Sequence, residues 1–455
     1  MKTNKLLLMI IPMACIMNSP VFAKVSSEQA KQLETRLTPM GAERSANRDG
    51  SIPTWGGGIT TVPTGYKTGD FHPDPFSQDP IKYTITKANI KTYKDLLTPG
   101  QLKLFSTYPN SFKMNVYQTR RSASYPEYIY QATKTNATRA GLMYNGAGIT
   151  GAVKSVPFPI PASGLEVIWN HLLRYRGQSV TRQNHQAALT ASGDYTLVET
   201  EEKFIMSYAN QQAAPDSVQT SNIMYKYKQK ITAPARLTGT ALLIHETLDH
   251  VKTPRQAWTY NTGQRHARRE PNTTYDAPST ASDGLKTEDD NDMYNGSPDR
   301  YTWTLKGKQE LLIPYNDYKL HSGQTKITDI LKPGHINPDL VRYEKHRVWV
   351  VEANLKADQR HTYKKRVFYI DEDSWQIAVT DIYDNRNELY RIGVAHPINY
   401  YELPAPSSTL EVFHDLQSRR YIASGLDNEA KPHDYSVVHK DKNFTSSALR
   451  RAGRR

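Results

Sequence analysis

The chain has almost no cysteine. Its single cysteine, Cys15, lies in the apolar stretch that opens the sequence, so no intramolecular disulfide can form. The residues before it, Pro12, Met13 and Ala14, differ from the pattern of a lipid-attachment cysteine, which argues against lipidation. Stability must therefore come from a hydrophobic core, and a chain of 455 residues is long enough to bury one.

Long apolar runs are absent beyond the first residues. Lys2 and Lys5, the apolar run 6–17 and the small-residue site ending at Ala23 follow the order of a secretory signal peptide. The apolar run is too short to span a membrane. We therefore predict a cleaved signal peptide over residues 1–23 and an exported mature chain that is soluble or peripheral to a membrane.

Motifs for nucleophilic and metal chemistry are missing as well. No Gly-x-Ser-x-Gly sequence occurs. His245 and His250 are one residue too far apart for the His-Glu-x-x-His zinc motif, and on a strand they point to opposite faces. The residues therefore predict no catalytic residue, no metal site and no cofactor. The paired carboxylates of a glycoside hydrolase stay open, and the formal candidates are Glu199, Glu201, Glu202, Glu246 and Glu352.

Positive charge is in excess, with a formal net charge of +13. The basic residues are scattered apart from a short cluster at 450–455, which argues against nucleic acid as a partner. Anionic lipid headgroups are a candidate partner, although a solvated basic surface is the simpler interpretation. The acidic run 283–292 lacks the ligand order of an EF-hand loop, so its use of calcium stays open. We expect this run to be solvated or paired with Arg268, Arg269 and Arg300.

The clearest structural signal lies between Ile223 and Arg269. Apolar or aromatic residues alternate with lysines over 223–231, and three more strand patterns follow at 241–247, 256–260 and 264–269. Gly and Pro separate them, which is typical of an antiparallel meander. The fold is therefore predicted to be β-rich (α+β), with a long curved antiparallel sheet around a cavity.

Helical patterns are few and short. We predict an N-terminal helix and extended arm over 24–108, followed by a single large β domain over 109–455. Inside that domain we expect a helix over 164–176, capped by Ser163 and Glu166, and an acidic loop over 272–298. Residues 125–132 resemble a strand.

Several motifs are shared with one family of exported Gram-negative proteins. The motifs span 37–47, 49–55, 157–161, 169–171, 174–177, 292–296, 298–301 and 368–375. On these motifs the chain is identified as a member of the domain-of-unknown-function 1329 family. The resemblance implies a fold similar to the outer-membrane lipoprotein-sorting carriers, an open, incomplete barrel that holds acyl chains under covering helices. It also implies a periplasmic location and two partners, an exporter of the resistance–nodulation–division (RND) type and an outer-membrane protein, and it supplies no catalytic residue to carry over.

We therefore predict a periplasmic carrier or chaperone, in contact with the membrane surface, for a lipid or other hydrophobic molecule. Inward-facing aromatic side chains would line its cavity. The predicted cavity walls are Tyr225, Tyr227, Trp258, Tyr260 and Trp303, the predicted lid residues are Trp169 and Leu172, and the predicted headgroup contacts are Arg265, Arg268 and Arg269.

Two other functions stay open, a hydrolase on envelope glycans or lipids and a structural adaptor. A carrier predicts an apolar cavity with few buried charges. A hydrolase predicts two convergent carboxylates with perturbed pKa values beside a water-filled cleft. An adaptor predicts a filled core and a large exposed apolar patch.

Overall fold

A computed structural model of the protein describes residues 25–270 and 275–454. The predicted signal peptide over 1–23, including Cys15, lies outside the described residues, as does the start of the predicted acidic loop. Within the described ranges, no helix combines the length and the apolar character needed to cross a bilayer.

Strands dominate the described part of the chain, which contains seventeen of them. In chain order they are β1 Tyr83–Ile85, β2 Met114–Val116, β3 Gly141–Met143, β4 Gly148–Thr150, β5 Ser179–Leu189, β6 Tyr195–Ile205, β7 Ile223–Ala233, β8 Ala241–Thr247, β9 Gln256–Asn261, β10 His266–Arg269, β11 Tyr301–Pro314, β12 Tyr343–Leu355, β13 Lys365–Asp371, β14 Ile377–Tyr383, β15 Leu389–Tyr400, β16 Ala405–Asp415 and β17 Arg420–Leu426.

The helices are short by comparison. The α-helices are α1 Ser27–Ala30, α2 Ile90–Tyr93, α3 Pro99–Thr107, α4 Glu127–Arg139, α5 Gly164–Leu173, α6 Pro215–Ser221, α7 Tyr318–His321, α8 Ile327–Ile330 and α9 Ser446–Gly453. Short 3-10 helices occur at Lys31–Glu34, Lys94–Leu96, Tyr144–Gly146, Glu288–Met293, Pro298–Arg300, Pro338–Leu340 and Asp441–Asn443.

Fifteen of the strands form one sheet. Its order is β1-β2-β12-β13-β14-β15-β16-β17-β5-β6-β7-β8-β9-β10, with β11 also paired to β12. Neighbours are antiparallel except β2 and β12, which meet in parallel at Val116 and Tyr343. The sheet ends at β10 without closing on itself. The predicted β-rich fold, a long antiparallel sheet that stays an open, incomplete barrel, is confirmed.

Both faces of the sheet are covered, because many of its strands carry apolar residues on both faces. The inner face packs against α4 and α5 in a large core that includes Ile129, Trp169 and Phe368. The outer face packs near β1 and α3 in a second core that includes Phe105 and Val350. At the β7–β10 end, the outer face is instead covered by α9. A sheet covered on both sides explains why clean alternation is rare in its middle strands.

The N-terminal arm lies along this body and is held by buried polar contacts. Arg121 is 5% exposed and donates to the backbone oxygens of Glu43, Arg44 and Pro53. The same guanidinium also pairs with Asp373 at 2.7 Å, which ties the arm to the end of β13.

Two local predictions need correction. Residues 125–132 belong mostly to α4, not to a strand, because Ile129, Thr133 and Ala137 are buried at helical spacing. The helix predicted over 164–176 ends earlier, at Leu173. Half of its predicted cap is present, since the backbone N–H of Glu166 donates to Ser163 Oγ at 3.3 Å. The Glu166 carboxylate accepts from the backbone N–H of Ala162 at 2.6 Å, and not from that of Ser163.

Candidate ligand cavity

A cavity of about 200 Å³ lies between the inner face of β5–β8 and the loop that follows β10. The floor is made by alternate residues of four neighbouring strands, because successive side chains of a strand point to opposite faces. Residues of β16 and the segment after β17 close one side, and the loop forms the roof. The cavity therefore depends on parts of the chain that are far apart in sequence.

The strand register divides the floor into two adjacent rows. The first row is apolar, and it runs across the strands as Val180, Phe204, Tyr227 and Ile244. The second row is mostly polar, and it runs as Arg182, Glu202, Gln229 and Leu242. All eight side chains line the cavity. One surface thus offers apolar contact and hydrogen bonding side by side.

The roof is the acidic loop, and two of its carboxylates, those of Asp289 and Asp292, are paired with arginines. Asp292 accepts two hydrogen bonds from Arg174, at 2.9 and 2.5 Å, and one from Arg176 at 2.5 Å. Asp289 pairs with Arg366 at 2.7 Å, and Asp289 is 1% exposed. At Asp289 and Asp292 the expectation of pairing holds and that of solvation does not, but the partners are Arg174, Arg176 and Arg366 instead of the predicted Arg268, Arg269 and Arg300. The two arginines that hold Asp292 lie just after α5, and Arg366 lies on β13.

Several polar atoms in the cavity wall have no hydrogen-bond partner among the described residues. They are the Nε–H groups of Arg176 and Arg182, the hydroxyl of Ser408 and Nδ1 of His433. Burial lowers the pKa of His433 to about 3, so this ring is neutral. Its Nε2 lies 3.1 Å from Asn184 Oδ1 and must carry the proton, which leaves Nδ1 as an acceptor. The wall therefore presents both unused donors and an unused acceptor.

The carboxylates of the cavity differ in their proton affinity. Burial, reinforced by the charge of Asp292, raises the pKa of Glu411 to about 7. Burial also acts to raise the pKa of Glu202, but the nearby Arg182 more than offsets it and the net shift is downward. Near neutral pH, Glu202 is therefore ionised while Glu411 exchanges a proton readily.

We expect Glu411→Gln to change how stability depends on pH. Between the ordinary glutamate pKa of 4.5 and about 7, the unfolded carboxyl is ionised while the folded one keeps its proton. The wild-type free energy of unfolding therefore falls as pH rises through this window. Relative to wild type, the variant should gain about 2.5 kcal/mol between pH 4.5 and pH 7. Urea unfolding across this range checks the prediction, and a difference that stays constant with pH contradicts it.

A chain of hydrogen bonds links the cavity wall to the N-terminal arm. Thr409, in the wall, donates to Asp427 Oδ2, and His321 Nδ1 lies 2.7 Å from the same oxygen. His72 Nδ1 lies 3.0 Å from His321 Nε2, and His72 Nε2 lies 2.8 Å from Glu402. Two buried imidazoles therefore connect the cavity wall to Glu402 and to the arm.

One other group of ligand-type side chains lies away from the cavity. His346, Asp371 and Asp373 place one potential metal ligand atom each within 4.8 Å of the others. Arg121 already pairs with Asp373, and His346 Nε2 lies 3.2 Å from Glu344. Two members of this group, Asp373 and His346, are therefore already paired within the protein.

The predicted site residues are distributed over both faces of the sheet. Tyr225 and Tyr227 line the cavity. Trp258 and Tyr260 lie on the outer face instead, in the cluster under α9, because their register partners Leu243 and Ala241 face outward. Trp303 packs in the inner core and donates to the backbone oxygen of Pro298 at 2.7 Å.

The predicted lid and headgroup residues also lie elsewhere. Trp169 and Leu172 are 0% and 4% exposed, so α5 packs as core and does not cover the cavity with these side chains. Arg265, Arg268 and Arg269 are exposed on the last hairpin of the sheet. The cations of the wall are instead Arg176, Arg182 and Lys286.

Sequence reasoning did not select these cations, because each reaches the cavity only through the tertiary fold. Among the five formal carboxylate candidates, Glu202 lines the cavity and the others do not. Val180, Arg182 and Asn184 occupy every second position of β5 and so share one face of the strand. This spacing is the signal that could have identified the charged row.

The fold and the cavity together define a β-rich protein with an internal site of small-molecule size. Residues 84–450 match the family model described as "Protein of unknown function (DUF1329)". The chain is also 47% identical over 455 residues to a Pseudomonas aeruginosa protein described as uncharacterized, and the match covers 100% of both chains. The chain therefore belongs to the DUF1329 family.

Among solved structures, the similarity is partial. A domain from Vibrio parahaemolyticus, described as an outer membrane lipoprotein-sorting protein, has a TM-score of 0.43 and 12% identity, over 63% of this chain and 98% of its own. A DUF1329 family protein from Desulfovibrio piger has a TM-score of 0.42 and 13% identity, over 60% and 92%. A LolA superfamily protein from Nitrosomonas europaea has a TM-score of 0.39 and 13% identity, over 63% and 100%. The family assignment rests on the sequence matches.

Proposed function

We propose that this protein is an exported periplasmic carrier that holds one small amphiphilic molecule in its cavity. The observation that carries the proposal is the apolar row lying directly beside the hydrogen-bonding row on one floor. A ligand chain can lie along Phe204, Tyr227 and Ile244, where burial contributes about 25 cal/mol per Å² of apolar surface. Its polar group can then reach Arg182 and Glu202.

The cavity is more polar than a carrier of purely hydrophobic molecules requires. Its wall contains Arg176, Arg182, Glu202, Asp292 and Glu411, so the expectation of few buried charges is wrong. Each buried polar atom left unpaired by a ligand costs about 1–3 kcal/mol. The preferred ligand therefore carries a polar group that can both accept and donate hydrogen bonds.

Formal charge on the ligand is not needed. Arg176 and Arg182 are already paired, with Asp292 at 2.5 Å and with Glu202 at 2.6 Å. A hydroxyl-bearing head can accept from the free Nε–H groups and donate to Nδ1 of His433 without breaking either pair. An anionic head would lie close to Asp292 and Glu202 as well as to the arginines.

Calorimetric titration with three probes of equal chain length tests this proposal. The probes are monooctanoylglycerol, octanoate and octane. We expect one molecule of monooctanoylglycerol to bind per chain, and octane to bind more weakly by at least about tenfold, since it leaves the polar row unpaired. Failure of monooctanoylglycerol and octanoate to bind, or stronger binding of octane, would contradict the proposal.

A hydrolase is the second candidate, and one observation favours it. The pKa of Glu411 is raised to about 7, while that of Asp292 is lowered by Arg174 and Arg176 against the opposing effect of burial. Two carboxylates whose pKa values are pushed apart are typical of acid–base catalysis. Release of octanoate from monooctanoylglycerol, lost in Glu411→Gln, would support this function over the carrier.

We further propose that the carrier works with an RND-type exporter and an outer-membrane protein, as the family motifs imply. Crosslinking in intact cells from an exposed position such as Tyr144, which is 56% exposed, would test this. Capture of a protein of either class is expected. Crosslinks to neither would contradict it.

A further inference from the structure

The outer face of the β6–β8 region is crossed by the C-terminal segment. Lys226 Nζ binds Asp441 at 2.6 Å, Lys228 Nζ binds the backbone oxygen of Asn443 at 2.9 Å, and His245 Nε2 lies 2.8 Å from that of Phe444. The buried residues Ala448 and Leu449 then seat α9 on β8 and β9. This face is therefore a continuous outer surface on the side of the sheet away from the cavity.

Positive charge accumulates on this surface. We call it the basic outer face and define it by Lys203, Lys228, Lys442, Arg450, Arg451 and Arg454. The last four of these residues are exposed, and Lys203 and Lys228 are register partners on β6 and β7. In the described ranges 25–270 and 275–454, none of the six forms an ion pair. The nearby carboxylate of Asp441 is already occupied by Lys226.

The cations are close enough to repel one another. Burial, followed by the charges of Lys203 and Arg451, lowers the pKa of Lys228 to about 8. Burial, followed by the charges of Lys203 and Lys228, also lowers the pKa of His439.

The carboxylates of this face, Glu201 and Asp441, lie beside Lys230 and Lys226. Concentrating the remaining cations destabilises the folded protein slightly. A bound anionic surface would remove that cost.

An exposed apolar side chain adjoins the cations. Val438 is 85% exposed and precedes His439, Lys440 and Lys442 in the same surface segment. A valine this exposed has no packing role in the protein. Beside basic residues it can enter the headgroup region of a bilayer while the cations meet the phosphates.

We propose that the basic outer face docks the protein on a bilayer surface that contains anionic phospholipid. A laterally mobile field of phosphates suits this face, because its cations are spread over two strands, a loop and a helix. The docking is electrostatic, since α9 already buries its apolar residues against the sheet. The cavity opens on the other side of the same strands, so a docked protein keeps its ligand site free.

Partition onto sedimenting vesicles tests this docking surface. The vesicles are phosphatidylglycerol mixed with phosphatidylcholine, compared with phosphatidylcholine alone. We expect partition only onto the anionic vesicles, with a steep loss as ionic strength rises. Arg450→Gln/Arg451→Gln/Arg454→Gln should lower it by about 100-fold, since each basic residue near an anionic surface contributes about fivefold.

A matched triple variant provides the control. Lys87→Gln/Lys91→Gln/Lys94→Gln removes the same charge from exposed positions around α2, at the β1 end of the sheet. This variant should bind vesicles nearly as wild type does. An equal loss in both triple variants would mean that net charge alone drives binding, and would overturn the proposal. So would equally tight binding to double-stranded DNA at the same ionic strength.

The docking surface and the ligand cavity can be tested independently of each other. Tyr227→Ala changes an inward-facing side chain and is expected to leave vesicle binding unchanged. The α9 triple variant is expected to bind monooctanoylglycerol as wild type does. A protein that binds vesicles but no amphiphile would contradict the proposed function alone, and the reverse result would contradict the docking alone.

Discussion

Replacing Arg366 with methionine is expected to lower the free energy of unfolding by about 3–5 kcal/mol. The guanidinium is 0% exposed, lies 2.7 Å from Asp289 and 3.5 Å from Asp290, and sits over the ring of Tyr363. Methionine fills a similar volume but leaves two buried carboxylates without a cation. Urea unfolding at neutral pH measures the loss.

A surface arginine serves as the control for this substitution. Arg386 is 73% exposed in its side chain and lies 3.4 Å from Asp384. Arg386→Met should cost less than about 1 kcal/mol, because an exposed pair gains little over its hydrated ions. Equal losses in the two variants would contradict the conclusion that buried pairing holds the roof loop on the sheet.

Replacing Tyr227 with alanine is expected to weaken monooctanoylglycerol binding by about 30-fold. The ring is part of the apolar row of the cavity floor, between Phe204 and Ile244. Removing a central aromatic contact from a binding site typically costs 2 kcal/mol or more. Calorimetric titration with the same probe measures the change.

The control for Tyr227→Ala is Trp258→Ala. Both are partly buried aromatic residues two strands apart, but Trp258 packs on the outer face near His245 with ring centroids 4.9 Å apart. Trp258→Ala should lower stability and leave the affinity of folded protein unchanged. An equal loss of affinity in Trp258→Ala and in Tyr227→Ala would contradict the conclusion that the ligand binds on the inner face of the sheet.

Much of the fold could be predicted from local patterns. The alternation over Ile223–Ile231 predicts β7, and in the structure its lysines face outward while Tyr225, Tyr227 and Gln229 line the cavity. The Ser163 cap and the apolar spacing after it predict α5. These signals are short-range, because a strand or a helix cap is decided by residues within one or two turns.

The side of the sheet could not be assigned for Trp258 and Tyr260. On β8, Leu242 and Ile244 face inward while Leu243 faces outward, so the strand is apolar on both faces and alternation carries no information. What covers the outer face is α9, which begins at Ser446. No local pattern near Trp258 indicates that a helix so distant in sequence will pack there.

The partners of the roof loop's carboxylates could not be assigned from the sequence for a related reason. A run of acidic residues normally stays in water, because burying an unpaired carboxylate is costly. Here Arg174, Arg176 and Arg366 supply the compensating charges. Two of these arginines are far from their partner in sequence, since Arg176 precedes Asp292 by 116 residues. The pairing is therefore visible only in three dimensions.

Native mass spectrometry of the protein isolated gently from the cells that produce it tests the central claim most directly. We expect one amphiphilic molecule per chain to co-purify, to be identified after solvent extraction, and to be absent from Tyr227→Ala but present in Trp258→Ala. A wild-type chain that is empty and takes up no added monooctanoylglycerol would contradict the claim that this cavity carries an amphiphile.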